Sequence, residues 1–152
     1  MDKIQAWMSE SLRLAKIAAQ EDEVPVGAVV VYQDRIVGRG YNRREQTQSP
    51  LSHAEVMAIQ EASQSLGSWR LIDCTLVVTL EPCLMCLAAS QQARIQKILY
   101  GTSDQKGGAL SLGYEFHLDQ RMHHRFSVEL WDTPECGDIL SQFFSQKRKK
   151  SR

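Results

Sequence analysis

Residues 75–100 read TLVVTLEPCLMCLAASQQARIQKILY, a strand, a helix and a second strand in succession. The stretch 75–80 is apolar and rich in β-branched residues, which is typical of a strand. Pro82 suits the first turn of a helix that continues to residue 93, because proline lacks the amide hydrogen that would be unpaired there. Residues 97–100 form the next strand. A helical connection between two strands makes them parallel neighbours in one sheet, so this stretch predicts an α/β fold.

The rest of the chain extends the same sheet. Residues 26–32 are almost continuously apolar, which predicts a strand buried on both faces. The other predicted elements are a helix at 3–19, an antiparallel strand at 35–41, a polar loop at 42–50, a helix at 52–66, a loop at 104–113, a strand at 128–131 and a last helix that begins near Pro134. Alternating strands and helices predict one three-layer α/β/α domain, with a mixed sheet covered by helices on both faces.

Length and composition exclude several classes of protein. The chain has 152 residues, of which 43% are hydrophobic and 24% charged, values ordinary for one globular domain. No apolar run approaches the length of a membrane span, and the first residues do not resemble a secretory signal. We therefore expect a cytoplasmic protein with no membrane partner.

The basic residues are unevenly distributed. Of 18 basic residues, five lie at positions 147–152, so residues 1–146 carry a formal charge of −5 and the last six residues +5. This division predicts a folded domain at 1–146 and a basic, disordered tail at 147–152. Such a tail either keeps the protein soluble or attracts nucleic acid, since clustered lysines and arginines displace the counterions of phosphates. Composition alone leaves both interpretations open.

Three residues have the spacing of a metal site. Cys83 and Cys86 are three positions apart at a predicted helix start, so both sulfur atoms project from one face. His53 lies at the start of another predicted helix. One imidazole and two thiolates are three ligands, which leaves a Zn²⁺ ion an open fourth position for water, as in catalytic zinc sites. A redox-active Cys-x-x-Cys pair is the competing interpretation.

Glu55 is the predicted acid/base residue of this site. It follows His53 by two positions and could accept a proton from a water molecule and pass it to a leaving group. The sequence Ser-His-Ala-Glu at 52–55 also matches a capping box, in which Glu55 would only accept a hydrogen bond from the backbone of Ser52.

The pattern His-x-Glu followed by Pro-Cys-x-x-Cys is the signature of the zinc-dependent nucleobase deaminases. The similarity is wider than this signature and runs over about residues 4–146, where the chain resembles the bacterial tRNA adenosine deaminases. The matching stretches are VPVGA at 24–28, GYNR at 40–43, HAEVMA at 53–58, TLEPCLMC at 79–86, DQKGGA at 104–109, Glu135-Cys136 and Phe143-Phe144.

This resemblance implies a function and a set of site residues. The implied fold is cytidine deaminase-like, with five strands in the order 2-1-3-4-5. The implied reaction converts adenosine to inosine at the wobble position of a tRNA anticodon stem-loop, in a homodimer with one Zn²⁺ per subunit. The implied roles are zinc ligands for His53, Cys83 and Cys86, proton shuttle for Glu55, base recognition for Asn42, a pocket formed by Val26, Ala54 and Pro82, and contacts to neighbouring nucleotides for Asp104 and Lys106.

Two segments depart from the family pattern. The family often has Asn-His-Arg where this chain has His123-His124-Arg125, and residues 108–118 differ in detail. Both concern RNA contacts rather than the zinc chemistry. Two other functions stay open on the sequence alone: deamination of a free nucleobase or nucleoside of the guanine or cytosine type, and RNA binding by a catalytically silent zinc subunit.

Overall fold

The computed structural model describes residues 2–150 of the chain. Its elements are, in chain order, helix α1 Lys3–Gln20, strands β1 Gly27–Tyr32 and β2 Arg35–Tyr41, helices α2 Arg44–Thr47 and α3 Ala54–Leu66, strand β3 Thr75–Leu80, helix α4 Leu84–Gln92, strand β4 Lys97–Thr102, a 3₁₀ turn at Phe116–Leu118, strand β5 Ser127–Leu130 and helix α5 Pro134–Lys150.

The five strands form one mixed sheet in the order β2-β1-β3-β4-β5. Strand β1 is antiparallel to both of its neighbours, β2 and β3. Strands β3, β4 and β5 are parallel to one another. The predicted fold class and strand order are confirmed. Because β2 and β3 both run opposite to β1, their carboxyl ends lie at the same edge of the sheet.

Helices cover both faces of the sheet, and each face has its own apolar core. Alternate residues of β1 point to opposite sides, so Val29 belongs to the core under α1 and α5 while Val30 belongs to the core under α3 and α4. Five of the six β1 residues are buried, as the apolar run predicted. The result is the predicted three-layer α/β/α domain.

Two glycines let α3 lie unusually close to β2. A Cβ atom built on Gly38 would overlap the backbone of Ala58 and Ala62, and one on Gly40 would overlap the backbone of Ala54 and Ala58. The three alanines are spaced four residues apart and form a small-residue stripe on one face of the helix. This close packing fixes where the N-terminus of α3 lies at the edge of the sheet.

Several predicted boundaries are wrong. The predicted loop at 42–50 contains α2, and β4 continues through Gly101 to Thr102. Helix α4 begins at Leu84 with Cys83 as its N-cap, so Pro82 lies before the helix rather than in its first turn. The connection from β4 to β5 contains the predicted loop at 104–113, and the 3₁₀ turn Phe116–Leu118 follows this loop.

The predicted disordered tail is also wrong for the residues that can be compared, because α5 continues to Lys150. Lysine and arginine are good helix formers, and basic side chains in a last turn interact favourably with the helix dipole. Lys147 also forms an ion pair with Asp22, at 2.8 Å. Ser151 and Arg152 of the predicted tail lie outside the described residues. Among residues 2–150, no helix is both long and apolar enough to cross a membrane.

Replacing Gly40 with alanine tests the close packing of α3 on β2. The new methyl group would meet helix backbone, so we expect Gly40→Ala to lower the free energy of unfolding by about 1–3 kcal/mol, the usual cost of overpacking. The matched control is Gly137→Ala in α5, where a Cβ has only an ordinary contact with Thr102. This control should raise stability by about 0.5–1 kcal/mol. Urea denaturation measures both, and equal effects would contradict the packing argument.

Candidate active site

The N-termini of α3 and α4 meet at the sheet edge where β2 and β3 end. His53 is the N-cap residue of α3, and Cys83 is the N-cap residue of α4, with Cys86 in the first turn. Neither N-cap side chain makes a capping hydrogen bond to its own helix, so the imidazole and the thiol can approach each other. The positive end of a helix dipole favours thiolate over thiol, the form that binds metal.

The three predicted ligand atoms form a compact triangle. Nδ1 of His53 lies 3.6 Å from Sγ of Cys83 and 3.5 Å from Sγ of Cys86, and all three atoms lie within 4.8 Å of one another. A tetrahedral ion with Zn–S near 2.3 Å and Zn–N near 2.0 Å separates a nitrogen and a sulfur ligand by about 3.5 Å. The donor set and its spacing therefore fit Zn²⁺.

Without a metal, the same groups share protons. Hydrogen bonding from the Cys86 thiol, with His53 alongside, lowers the pKa of Cys83 to about 4. The pKa of Cys86 is raised well above its usual range because it bonds to Cys83 and is buried. The hydrogen bond between His53 and Cys83 raises the pKa of the His53 imidazole. The four cysteines are free, and the imidazole lying against both sulfur atoms favours a metal site over the redox interpretation.

Glu55 lies in the first turn of α3, beside the triangle. Its side chain is 4% exposed, and this burial raises the pKa of its carboxyl to about 7. The capping-box interpretation is wrong, because the N-cap residue of α3 is His53 rather than Ser52. The Ser52 amide donates instead to the Ser49 carbonyl, and its hydroxyl bonds to that of Thr47.

Asn42 connects the end of β2 to the start of α3. Its Oδ1 accepts a hydrogen bond of 2.8 Å from the Ala54 amide, one of the helix amides that have no partner within α3. Because Oδ1 is used in this way, the Nδ2 group is the part of the amide left for a ligand. Asn42 is 8% exposed, so the bond fixes the orientation of a buried donor.

A cavity of about 170 Å³ opens beside the triangle. Predicted site residues in its lining are Val26, Asn42, His53, Glu55, Cys83 and Asp104, and the other lining residues are Val24, Arg44, Leu80 and Glu81. Ala54 and Pro82 are buried next to lining residues, and Lys106 lies exposed on the loop after Asp104. Drug-sized ligands occupy pockets of about 300 Å³ or more, so this cavity suits a single small ring.

Two residues that shape the cavity wall, Arg44 and Glu23, are not among the predicted site residues. Arg44 begins the short helix α2, which is held by the buried carboxylate of Glu23. Glu23 accepts hydrogen bonds from the amides of Glu45 and Gln46, at 3.2 and 2.8 Å. Glu23 is the last residue of an acidic run at 21–23. The available signal was that Glu23 directly precedes the apolar stretch Val24-Pro25-Val26.

Comparisons with known proteins agree with this geometry. A family model described as MafB19-like deaminase matches residues 1–148. A tRNA-specific adenosine deaminase from Streptococcus pyogenes serotype M1 is 42% identical, over 96% of this chain and 86% of that protein. One from Bacillus subtilis strain 168 is 40% identical, over 100% of this chain and 95% of that protein.

The chain belongs to the tRNA-specific adenosine deaminase family. A solved structure from a study of A-to-I editing by tRNA:A34 deaminases at the wobble position of transfer RNA is also similar. It is 39% identical, superimposes with a TM-score of 0.84, and the match covers 90% of this chain and 99% of that one. The resemblance found in the sequence is thus confirmed at the level of the family.

Replacing Cys83 with serine tests the metal site. A serine hydroxyl does not ionise at neutral pH as a metal-bound thiol does. The proteins are dialysed first against Zn²⁺ and then against metal-free buffer. We expect the wild type to retain about one Zn²⁺ per chain and Cys83→Ser to retain almost none. Elemental analysis measures both. Cys74→Ala is the control, because Cys74 is buried outside the triangle and should leave the zinc content unchanged. Equal zinc in wild type and Cys83→Ser would contradict the assignment.

Proposed function

We propose that this protein is a hydrolytic tRNA adenosine deaminase that converts adenosine to inosine at the wobble position of an anticodon stem-loop. One observation carries the proposal: a His-Cys-Cys donor set and a buried glutamate face the same small cavity, in a chain of this family. The reaction consumes water, breaks the bond between C6 and the amino nitrogen, forms a bond from C6 to oxygen and releases ammonia. No oxidant or reductant is needed.

In this proposal His53, Cys83 and Cys86 hold the metal. When bound there, Zn²⁺ supplies a water nucleophile at neutral pH by lowering the pKa of that water. Glu55 receives the proton of the attacking water and delivers it to the leaving amino group. Its burial beside the donor set supports this role, because a carboxyl in a pocket of low polarity can hold a proton that an exposed one would lose to water.

The other predicted residues bind and orient the base. The free Nδ2 group of Asn42 donates a hydrogen bond to an acceptor nitrogen or oxygen of the target nucleoside. Val26 and Pro82, with the backbone at Ala54, form the wall against which the base packs. A cavity of about 170 Å³ supports entry of the base alone, which requires the nucleotide to be flipped out of its stack. Asp104 and Lys106 then meet the neighbouring nucleotides.

The partner in this proposal is tRNA, and the working enzyme is a cytoplasmic homodimer. Exposed apolar side chains on the segment between β4 and β5 support a second copy as a neighbour. These are Leu112, Tyr114 and Leu118, which are 49%, 49% and 52% exposed. Large exposed apolar residues that share one segment are more typical of a protein interface than of a free surface.

The variant Glu55→Ala separates chemistry from binding. The substrate is a synthetic anticodon stem-loop with adenosine at the wobble position, and inosine is measured by mapping after incubation. Wild-type protein should produce inosine at that position. Glu55→Ala should keep its zinc and its affinity for the stem-loop, while turnover falls by at least ~100-fold, the scale for a positioned acid/base residue.

Two further measurements distinguish the alternatives. A matched stem-loop with guanosine at the wobble position, and free guanine and cytosine, are offered to the same enzyme. Deamination of a free base with no inosine in the stem-loop would contradict the proposal and support a nucleobase deaminase. Stem-loop binding without any turnover would support a silent RNA-binding subunit. Near-normal turnover by Glu55→Ala would remove Glu55 from the mechanism.

The basic end of α5 is the second surface that the proposal assigns to RNA. Lys147 is held against Asp22, near the mouth of a groove that also includes Arg44 of the cavity wall. Arg148, Lys149 and Lys150 lie on the last turn of the helix. Because the helix is continuous, these charges extend from the folded domain in a defined direction rather than from a loose tail.

Neutralising the last three of these charges tests this surface. Each phosphate that the protein no longer neutralises should reduce the slope of log affinity against log salt concentration by about 0.7–0.9. We expect the triple variant Arg148→Gln, Lys149→Gln, Lys150→Gln to bind the stem-loop more weakly, with a slope lower by about 0.7–2.7, at nearly unchanged turnover under saturating RNA. Lys16→Gln on the outer face of α1 is the control. Identical slopes for wild type and the triple variant would exclude this surface from RNA binding.

A further inference from the structure

Glu81 is a buried carboxylate that the proposed chemistry does not use. It follows β3 directly, is 3% exposed, and lies two residues before Cys83. Oε1 accepts hydrogen bonds from the Asp104 amide at 3.0 Å and from the Ser111 hydroxyl at 2.6 Å. Oε2 accepts one from the Ser111 amide at 2.8 Å. A buried carboxylate is retained at such a place only if its oxygen atoms are well bonded.

All three donors belong to one loop, residues 103–111, which follows β4. Two backbone hydrogen bonds, each 2.9 Å long, support this contact. The Glu81 amide donates to the carbonyl of Thr102, which directly precedes the loop, and the Ala109 amide of the loop donates to the Pro82 carbonyl. Within the loop, Oδ1 of Asp104 accepts from the amides of Lys106 and Gly107. Glu81 thus bonds to both ends of a turn that contains Asp104 and Lys106.

Gly108 shows how closely the loop packs on this carboxylate. A Cβ atom built on Gly108 would overlap the carboxylate carbon and both oxygen atoms of Glu81. The loop backbone can therefore reach the carboxylate only because residue 108 has no side chain. The Glu81 carboxylate and the bare backbone of Gly108 are therefore the two sides of one close contact.

We propose that Glu81 is a positioning residue that holds the 103–111 loop, and through it Asp104, at the mouth of the cavity. The same three-residue segment then carries the anchor at Glu81, a wall residue at Pro82 and a metal ligand at Cys83. The distance between the metal site and the loop that meets the neighbouring nucleotides is thereby fixed. The effect on RNA rests on the proposed function, whereas the effect on the loop does not.

Glu81→Gln tests the anchor with a side chain of the same shape. A glutamine has only one acceptor oxygen. Its NH₂ group would face a backbone amide of the loop, and because both groups are donors no hydrogen bond could form between them. Trypsin cleavage after Lys106 measures how often the loop opens, because Lys106 is the only trypsin site within residues 103–111. Proteolysis of a folded segment requires local opening. We expect trypsin to cut after Lys106 at least about tenfold faster in Glu81→Gln, with an unchanged rate after Arg70, which lies outside the loop.

Steady-state kinetics on the wobble-adenosine stem-loop provide the second measurement. Loss of positioning should raise KM by at least about fivefold, while kcat changes by less than about threefold and zinc content stays at the wild-type level. Glu129→Gln, which removes the same charge from the exposed face of β5, should change neither proteolysis nor kinetics. Ser111→Ala removes one of the three donors and should shift both measurements in the same direction by a smaller factor.

The outcomes separate this proposal from the proposed function. If wild type makes no inosine, the proposed function fails, and trypsin cleavage after Lys106 still tests the anchor. Unchanged cleavage in Glu81→Gln would overturn the proposal. Loss of zinc with a collapse of kcat at constant KM would also overturn it, since Glu81 would then support Cys83 rather than the loop. If Glu81→Gln does not fold, the same measurements on Ser111→Ala (cleavage after Lys106, KM, kcat and zinc content) test the proposal.

Discussion

The meeting of two helix N-termini at one edge of the sheet is the constraint on which the site depends. It exists because β2 and β3 run in the same direction and each leads into a helix at its carboxyl end. The absence of side chains at Gly38 and Gly40 then lets α3 approach β2 closely enough for His53 to reach the cysteines of α4. A side chain at either glycine would overlap the backbone of α3, so the placement of His53 beside the two cysteines depends on the packing of this helix on the sheet.

Buried carboxylates fix the two walls of the cavity around this centre. Glu23 holds the first turn of α2 and so the position of Arg44, while Glu81 holds the 103–111 loop and so the position of Asp104. Asn42 acts in the same way between them, with its carbonyl on the Ala54 amide. Each of these groups accepts hydrogen bonds from backbone amides that no regular element satisfies. Loops at the edge of a cavity need such anchors because they have no hydrogen-bond ladder of their own.

Much of the architecture could be predicted from the sequence, because it depends on patterns that one sequence displays. The apolar run in β1 and the strand-helix-strand unit around Pro82 specify the sheet, and the spacing of His53, Cys83 and Cys86 predicted a donor set that the structure brings together. The position of Glu23 before an apolar stretch signals burial, but the partners of Glu23 and Glu81 could not be predicted, since the sequence does not show whether an acidic residue bonds to water or to a distant amide. The helical end of α5 was missed because its charge pattern fits both a solvated helix and a disordered tail.

X-ray diffraction at the zinc absorption edge tests the central claim most directly. Crystals of wild-type protein grown with Zn²⁺ should show one anomalous peak per chain, about 2.3 Å from the sulfur atoms of Cys83 and Cys86 and about 2.0 Å from Nδ1 of His53. Glu55 should not ligate the ion. A peak bound by other residues, a Glu55 carboxylate in the coordination sphere, or a disulfide between Cys83 and Cys86 with no peak would contradict the account.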